Sequence, residues 1–127
     1  MKKLLILLFS ILISFNSYGG WKWIGENINN SQYYIDFEKI KSIDGYIYYR
    51  FLTDLLKPDK DGDFSYITYI QGDCKLSRYM HLSGFYYKQP MGAGNVTTNN
   101  IKNPEWEYPP PGSAIEYILE LVCDYVK

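Results

Sequence analysis

Two cysteines, a single histidine, three alternate aspartates and a large stock of tyrosine are the side chains through which this chain could do chemistry. Cys74 and Cys123 could in principle bind zinc, act as nucleophiles or cross-link. Two cysteines and one histidine fall short of the four ligands of a typical zinc site unless carboxylates help. Redox exchange usually needs a closely spaced pair, whereas these cysteines lie far apart in the chain. A disulfide is the reading favoured in an oxidising compartment. Closing a loop of that length is worth about 4 kcal/mol in the loop-entropy treatment.

Asp59, Asp61 and Asp63 have the alternation that opens an EF-hand calcium loop. The register then fails. Glycine arrives at the fourth position instead of the sixth, and Ile70 stands where a bidentate glutamate is required. A solvated hairpin tip is the simpler expectation, with no metal. His81 lacks a partner legible in the sequence, so a half-exposed sheet residue is expected. No serine carries a nucleophile signature, and no two carboxylates are spaced to share one element. The chain is therefore read as a non-enzyme without a cofactor. A hydrolase of envelope substrates would need His81 grouped with a carboxylate in a pocket.

Of the 14 tyrosines, all but Tyr18 lie within residues 20–127. Sheets and helix-packing surfaces use many aromatic residues, but tyrosine with arginine is also the chemistry of protein interfaces. The candidate partner-binding residues are Tyr46, Tyr48 and Arg50 on one strand face, with Trp106 and Tyr108 in a Pro/Gly-rich stretch.

The compartment follows from the N-terminus. Met1-Lys2-Lys3 precedes an apolar run from Leu4 to Phe15 that is too short to span a bilayer. Ser17 and Gly19 are small enough for a cleavage site, so residues 1–19 read as a secretory signal peptide and 20–127 as a single domain. No membrane span is expected after cleavage, and the location is extracytoplasmic: periplasmic, secreted or cell-surface. Loss of Lys2 and Lys3 takes the formal net charge from −1 to −3. That argues against a nucleic-acid partner, which needs clustered positive charge. Export also makes the Cys74–Cys123 disulfide the default pairing.

These groups must be held by a sheet and one helix. Trp21–Glu26 and Gln32–Ile35 read as strands, with Asp36 placed to cap a short turn at 37–40. Asp44-Gly45 marks a tight turn into a strand over Tyr46–Leu55, whose odd-numbered side, Ile47, Tyr49, Phe51 and Leu55, is the expected core face. A polar hairpin at 57–63 leads to a strand over Phe64–Ile70. Gly72-Asp73 is expected to turn the chain into a fifth strand beginning at Cys74, bent by a bulge near Ser83-Gly84. Gln89–Gly112 reads as a long turn-rich crossing. Ser113 and Glu116 stand at capping-box spacing, and Ile115, Ile118, Leu119, Val122 and Val126 form an apolar stripe, so a helix is expected from Ser113 to about Tyr125.

A tryptophan soon after the leader, Tyr33-Tyr34-Ile35-Asp36 with Lys39-Ile40, Gly72-Asp73-Cys74, and Pro111-Gly112-Ser113 leading to Val122-Cys123 together resemble the surface-adhesin protein E family of exported bacterial proteins. The order and spacing of these short motifs carry the resemblance. It implies a curved antiparallel sheet packed on one helix, an extracytoplasmic location, and in some members binding to host matrix or serum proteins. No cysteine stands directly after the apolar leader here, where a lipid-anchored member would carry one. The expected fold is thus α+β, with about five or six antiparallel strands, curved, and the C-terminal helix on the concave side. The expected function is an exported binding protein with a protein partner from host matrix or envelope; the alternative is an inhibitor of an extracytoplasmic enzyme such as a lysozyme.

Overall fold

The computed structural model describes residues 20–127, so the expected leader lies outside the described residues. Seven antiparallel strands make one sheet: β1 Lys22–Glu26, β2 Gln32–Ile35, β3 Lys41–Ile43, β4 Tyr46–Asp54, β5 Ser65–Asp73, β6 Arg78–Gln89 and β7 Ala93–Asn100. They lie in the order β1-β2-β4-β5-β6-β7, and β3 pairs with the start of β4. The helix α1, Ala114–Tyr125, completes an α+β arrangement.

β4 organises the sheet because β2 and β3 share its one edge end to end. Its Phe51–Asp54 segment pairs with β2 and its Tyr46–Tyr48 segment with β3. The tight turn into β4 is as expected: Asp44 and Gly45 both have positive φ, the conformation a two-residue hairpin loop demands. Its other arm, β3, is three exposed residues with no apolar alternation to announce it.

The odd-numbered side of β4 is the core face as far as Phe51. Ile47, Tyr49 and Phe51 are buried, and with Ile35 and Ile70 they meet Ile118, Leu119 and Val122 of α1. Leu55 departs from expectation, lying just past the strand and only partly buried. Leu52 is instead fully buried on the other side, where Pro90–Gly92 folds back over Leu52 and Ile67. Met91 N–H donates to Asp54 Oδ1 at 2.8 Å and Gly92 N–H to Ser65 Oγ at 2.9 Å, which pins that turn to the sheet.

The helix is capped as its sequence predicts. Ser113 Oγ accepts from Glu116 N–H at 3.2 Å, and Glu116 Oε1 reaches back to accept from Gly112 N–H at 2.9 Å. Such a cap contributes about 1 kcal/mol. Val126, assigned to the apolar stripe, lies past the last turn and is exposed. Asp36 begins the 37–39 turn but makes no side-chain cap bond.

The path of the chain corrects the expected turn at Gly72-Asp73 and the expected long crossing over 89–112. Gly72 and Asp73 do not turn the chain; both belong to β5. A Cβ at Gly72 would come 2.9 Å from Ile47 and 3.1 Å from Leu119, so the glycine lets α1 approach the sheet. The turn is Cys74–Ser77, and β6 starts at Arg78. It forms there because Asp73 Oδ1 accepts from the Lys75 and Leu76 amides. The bulge falls within a residue of its expected place, since Tyr69 pairs with Ser83 and Ile70 with His81, leaving Leu82 unopposed. Finally, Gln89–Gly112 is not one long crossing, because β7 forms within it, paired along β6.

Candidate binding face

The even-numbered side of β4 carries Tyr46, Tyr48 and Arg50 away from α1, as alternation requires. Arg50 lies over the Trp21 ring, 5.8 Å from its centroid. At the other end, Trp106 stacks against Tyr46 with ring centroids 5.4 Å apart, and the Arg78 guanidinium sits 4.3 Å from the Trp106 centroid. Arg78 Nε also donates to Asp73 Oδ2 at 2.9 Å. Burial acts to raise the pKa of Asp73, but hydrogen bonds from Arg78 and the Leu76 amide, with the guanidinium charge, leave it below the usual carboxylate range.

The stretch bearing Trp106 is held by a backbone bridge. Tyr79 N–H donates to the Glu107 carbonyl at 2.9 Å and Glu107 N–H to the Tyr79 carbonyl at 2.8 Å. The sheet thus brings Tyr46, Tyr48, Arg50 and Trp106 to one face. Tyr108 stands apart, 67 % exposed beside Pro109, Cys123 and Val126 on the flank of α1. Sequence reasoning missed Trp21 and Arg78, the two residues that complete the alternating Trp–Arg contacts. An aromatic residue beside the edge strand and an arginine on the same face were the available signals.

The cross-link forms. Cys74 and Cys123 are disulfide-bonded with Cα atoms 5.7 Å apart, tying the β5–β6 turn to the last turn of α1. Comparison with known proteins bears on what this scaffold is. The family model for surface-adhesin protein E matches residues 21–124. The chain belongs to the surface-adhesin protein E family. Among solved structures, crystal form II of Haemophilus influenzae protein E is similar at a TM-score of 0.65 and 18 % identity, covering 86 % of this chain and 91 % of that one. Protein E from non-typeable Haemophilus influenzae is similar at 0.60 and 16 % identity, covering 84 % and 76 %. At these identities the likeness is one of fold. No curated protein matches the chain.

In this member of the protein E family, the remaining chemical side chains have local partners. His81 Nδ1 lies 3.0 Å from Glu107 Oε2, a carboxylate partner the sequence did not reveal. The pair is open to water, at 42 % and 51 % exposure, and Tyr79 packs edge-on against the imidazole. Burial, with Glu107 second, raises the pKa of Tyr79. The arrangement suits a clamp that holds Glu107 to β6; a catalytic pair would gain from exclusion of water. The Asp59, Asp61 and Asp63 carboxylates converge at the β4–β5 hairpin. Asp59 Oδ1 accepts from the Asp61 and Asp63 amides at 2.9 Å, and its other oxygen accepts from Tyr66 Oη. Lys88 Nζ supplies positive charge there, 2.9 Å from Asp63 Oδ1 and donating to the Asp61 carbonyl. Among the described residues no helix is long and apolar enough to cross a membrane.

Proposed function

We propose that the protein is an exported, non-enzymatic binding protein of adhesin type that engages a protein partner through Tyr46, Tyr48, Arg50 and Trp106. The observation that carries this reading is the pair of arginine–tryptophan contacts flanking two tyrosines on one sheet face. Tyrosine, tryptophan and arginine dominate binding energy at protein interfaces. Rings already stacked on their neighbours lose little freedom when a partner covers them. The family name adds the expectation of an extracytoplasmic, surface-related role.

On this reading residues 1–19 are removed on export, so the N-terminus of the protein recovered from outside the cytoplasm is expected at Gly20. The test of binding is affinity capture from host-matrix and envelope extracts with the wild type, Tyr48→Ala and Trp106→Ala. Each substitution is expected to weaken retention of the captured protein at least tenfold. Retention unchanged in both variants would eliminate this face.

A further inference from the structure

The sheet extends well beyond the footprint of α1, and the part left open is built differently from the part that is covered. Tyr66, Thr68 and Ile70 share one side of β5, and Ile70 lies in the core under α1. On that same side, towards β7, the register aligns Tyr66 with Tyr86 and Thr97, and Thr68 with Gly84 and Asn99. The result is a shallow groove of about 410 Å³ whose lining also includes His81. Small-molecule sites reach this size.

The groove has an aromatic corner. Tyr86 folds back across Gly84, where a Cβ would come 3.0 Å from its Oη and 3.3 Å from its ring. One side of the ring therefore rests over bare backbone, and the ring lines the groove. Tyr66 stands nearly perpendicular to it, at 72° and 5.3 Å between centroids. Its hydroxyl donates to Asp59, which fixes the ring as a wall. The floor beside this corner carries a hydroxyl from Thr68 and a side-chain amide from Asn99. No acidic side chain, lysine or arginine lines the groove.

A flat ring beside a perpendicular one, with neutral hydroxyl and amide groups along the floor, is complementary to one ligand chemistry. The C–H face of a pyranose packs on an aromatic plane, while its equatorial hydroxyls need donors and acceptors at the rim. An anionic ligand would find no lysine or arginine in this lining, and a lipid would have to desolvate Thr68 and Asn99. We propose that the face of β5, β6 and β7 left open by α1 is a binding site for a neutral oligosaccharide, stacked on Tyr86 against Tyr66 and hydrogen-bonded by Thr68 and Asn99. This site lies on the opposite side of the sheet from Tyr48 and is independent of the protein-partner reading.

The test is a glycan array probed with the disulfide-intact chain, followed by NMR titration with a neutral trisaccharide retained on it. N,N′,N″-triacetylchitotriose and maltotriose serve as the first probes and a heparin tetrasaccharide as the anionic comparison. Ring resonances of Tyr66 and Tyr86 and the amides of Thr68 and Asn99 are expected to shift with a neutral probe. Tyr86→Ala is expected to weaken binding at least tenfold and Asn99→Ala several-fold, whereas Tyr48→Ala leaves it unchanged. Asn99 is exposed on the edge strand, so its variant keeps the fold even if Tyr86→Ala does not. An array without neutral ligands, a preference for the heparin tetrasaccharide, or binding unaffected by Asn99→Ala and by Tyr86→Phe/Asn99→Ala together would overturn the proposal.

Discussion

One face of the sheet has two halves that differ in what covers them. Over β2, β4 and the Ile70 end of β5, the side chains are Ile35, Ile47, Tyr49, Phe51 and Ile70, all buried against α1. Further along the same face stand Thr68, Gly84, Thr97 and Asn99, with no helix of the described residues above them. Scale explains why both exist. Six strands at about 4.8 Å spacing make a sheet some 24 Å wide, whereas a 12-residue helix is about 18 Å long and 10 Å across with its side chains. One such helix cannot dry the whole face. The apolar residues therefore gather where α1 lies, and the open half is polar, glycine-containing and available for other contacts.

If stability resides in the covered half, the disulfide that locks α1 in place should matter most. The Cys74→Ser/Cys123→Ser double variant is expected to lose about 4 kcal/mol in urea unfolding. A loss under about 1 kcal/mol would show that packing alone holds the helix. Next comes Ile118→Ala, which empties a fully buried site and is expected to cost about 3 kcal/mol, measured in the same way.

Tyr49 sharpens the contrast from within the core. Its hydroxyl is buried without a hydrogen-bond partner, and burial, reinforced by Tyr79, pushes its pKa far above the usual tyrosine range. An unpaired buried hydroxyl costs about 1–3 kcal/mol. Tyr49→Phe, which keeps the ring, is therefore expected to leave stability unchanged or raise it by about 1 kcal/mol. A clear destabilisation would reveal a partner for that oxygen.

Asp73 links the locked helix to pH. Its folded pKa is depressed, so its contribution is present above the ordinary carboxylate value and lost as pH falls through the lowered one. Urea midpoints measured from neutral pH down to about pH 3 should fall less steeply in Asp73→Asn than in the wild type; equal slopes would remove Asp73 from the acid response. The smallest effect belongs to the open half, where Asn99→Ala should stay within about 0.5 kcal/mol of wild type. A larger loss would mean that β7 is part of the cooperative core.

The legibility of the chain follows this same division. Ile47, Tyr49 and Phe51 could be assigned to the core because burial on one side imposes a period of two, and Ile118, Leu119 and Val122 because a helix stripe imposes its own. β7 could not. Its eight residues are all exposed, and an edge strand that buries nothing leaves no apolar period to read. The glycine before Asp73 suggested a turn because its spatial role, making room for Leu119, depends on a residue far along the chain.

The sequence alone determined the class of fold, the capped helix, the pairing of Cys74 with Cys123 and the even-numbered face of Tyr46, Tyr48 and Arg50. Each depends on local periodicity, local capping or the simple count of cysteines. Only the tertiary structure placed Trp106 between Tyr46 and Arg78, set His81 against Glu107, and moved Tyr108 to the flank of α1. It also decided that α1 leaves the Tyr66–Tyr86 corner open. These are contacts between segments distant in the chain, and the backbone pairing that creates them depends little on side-chain type.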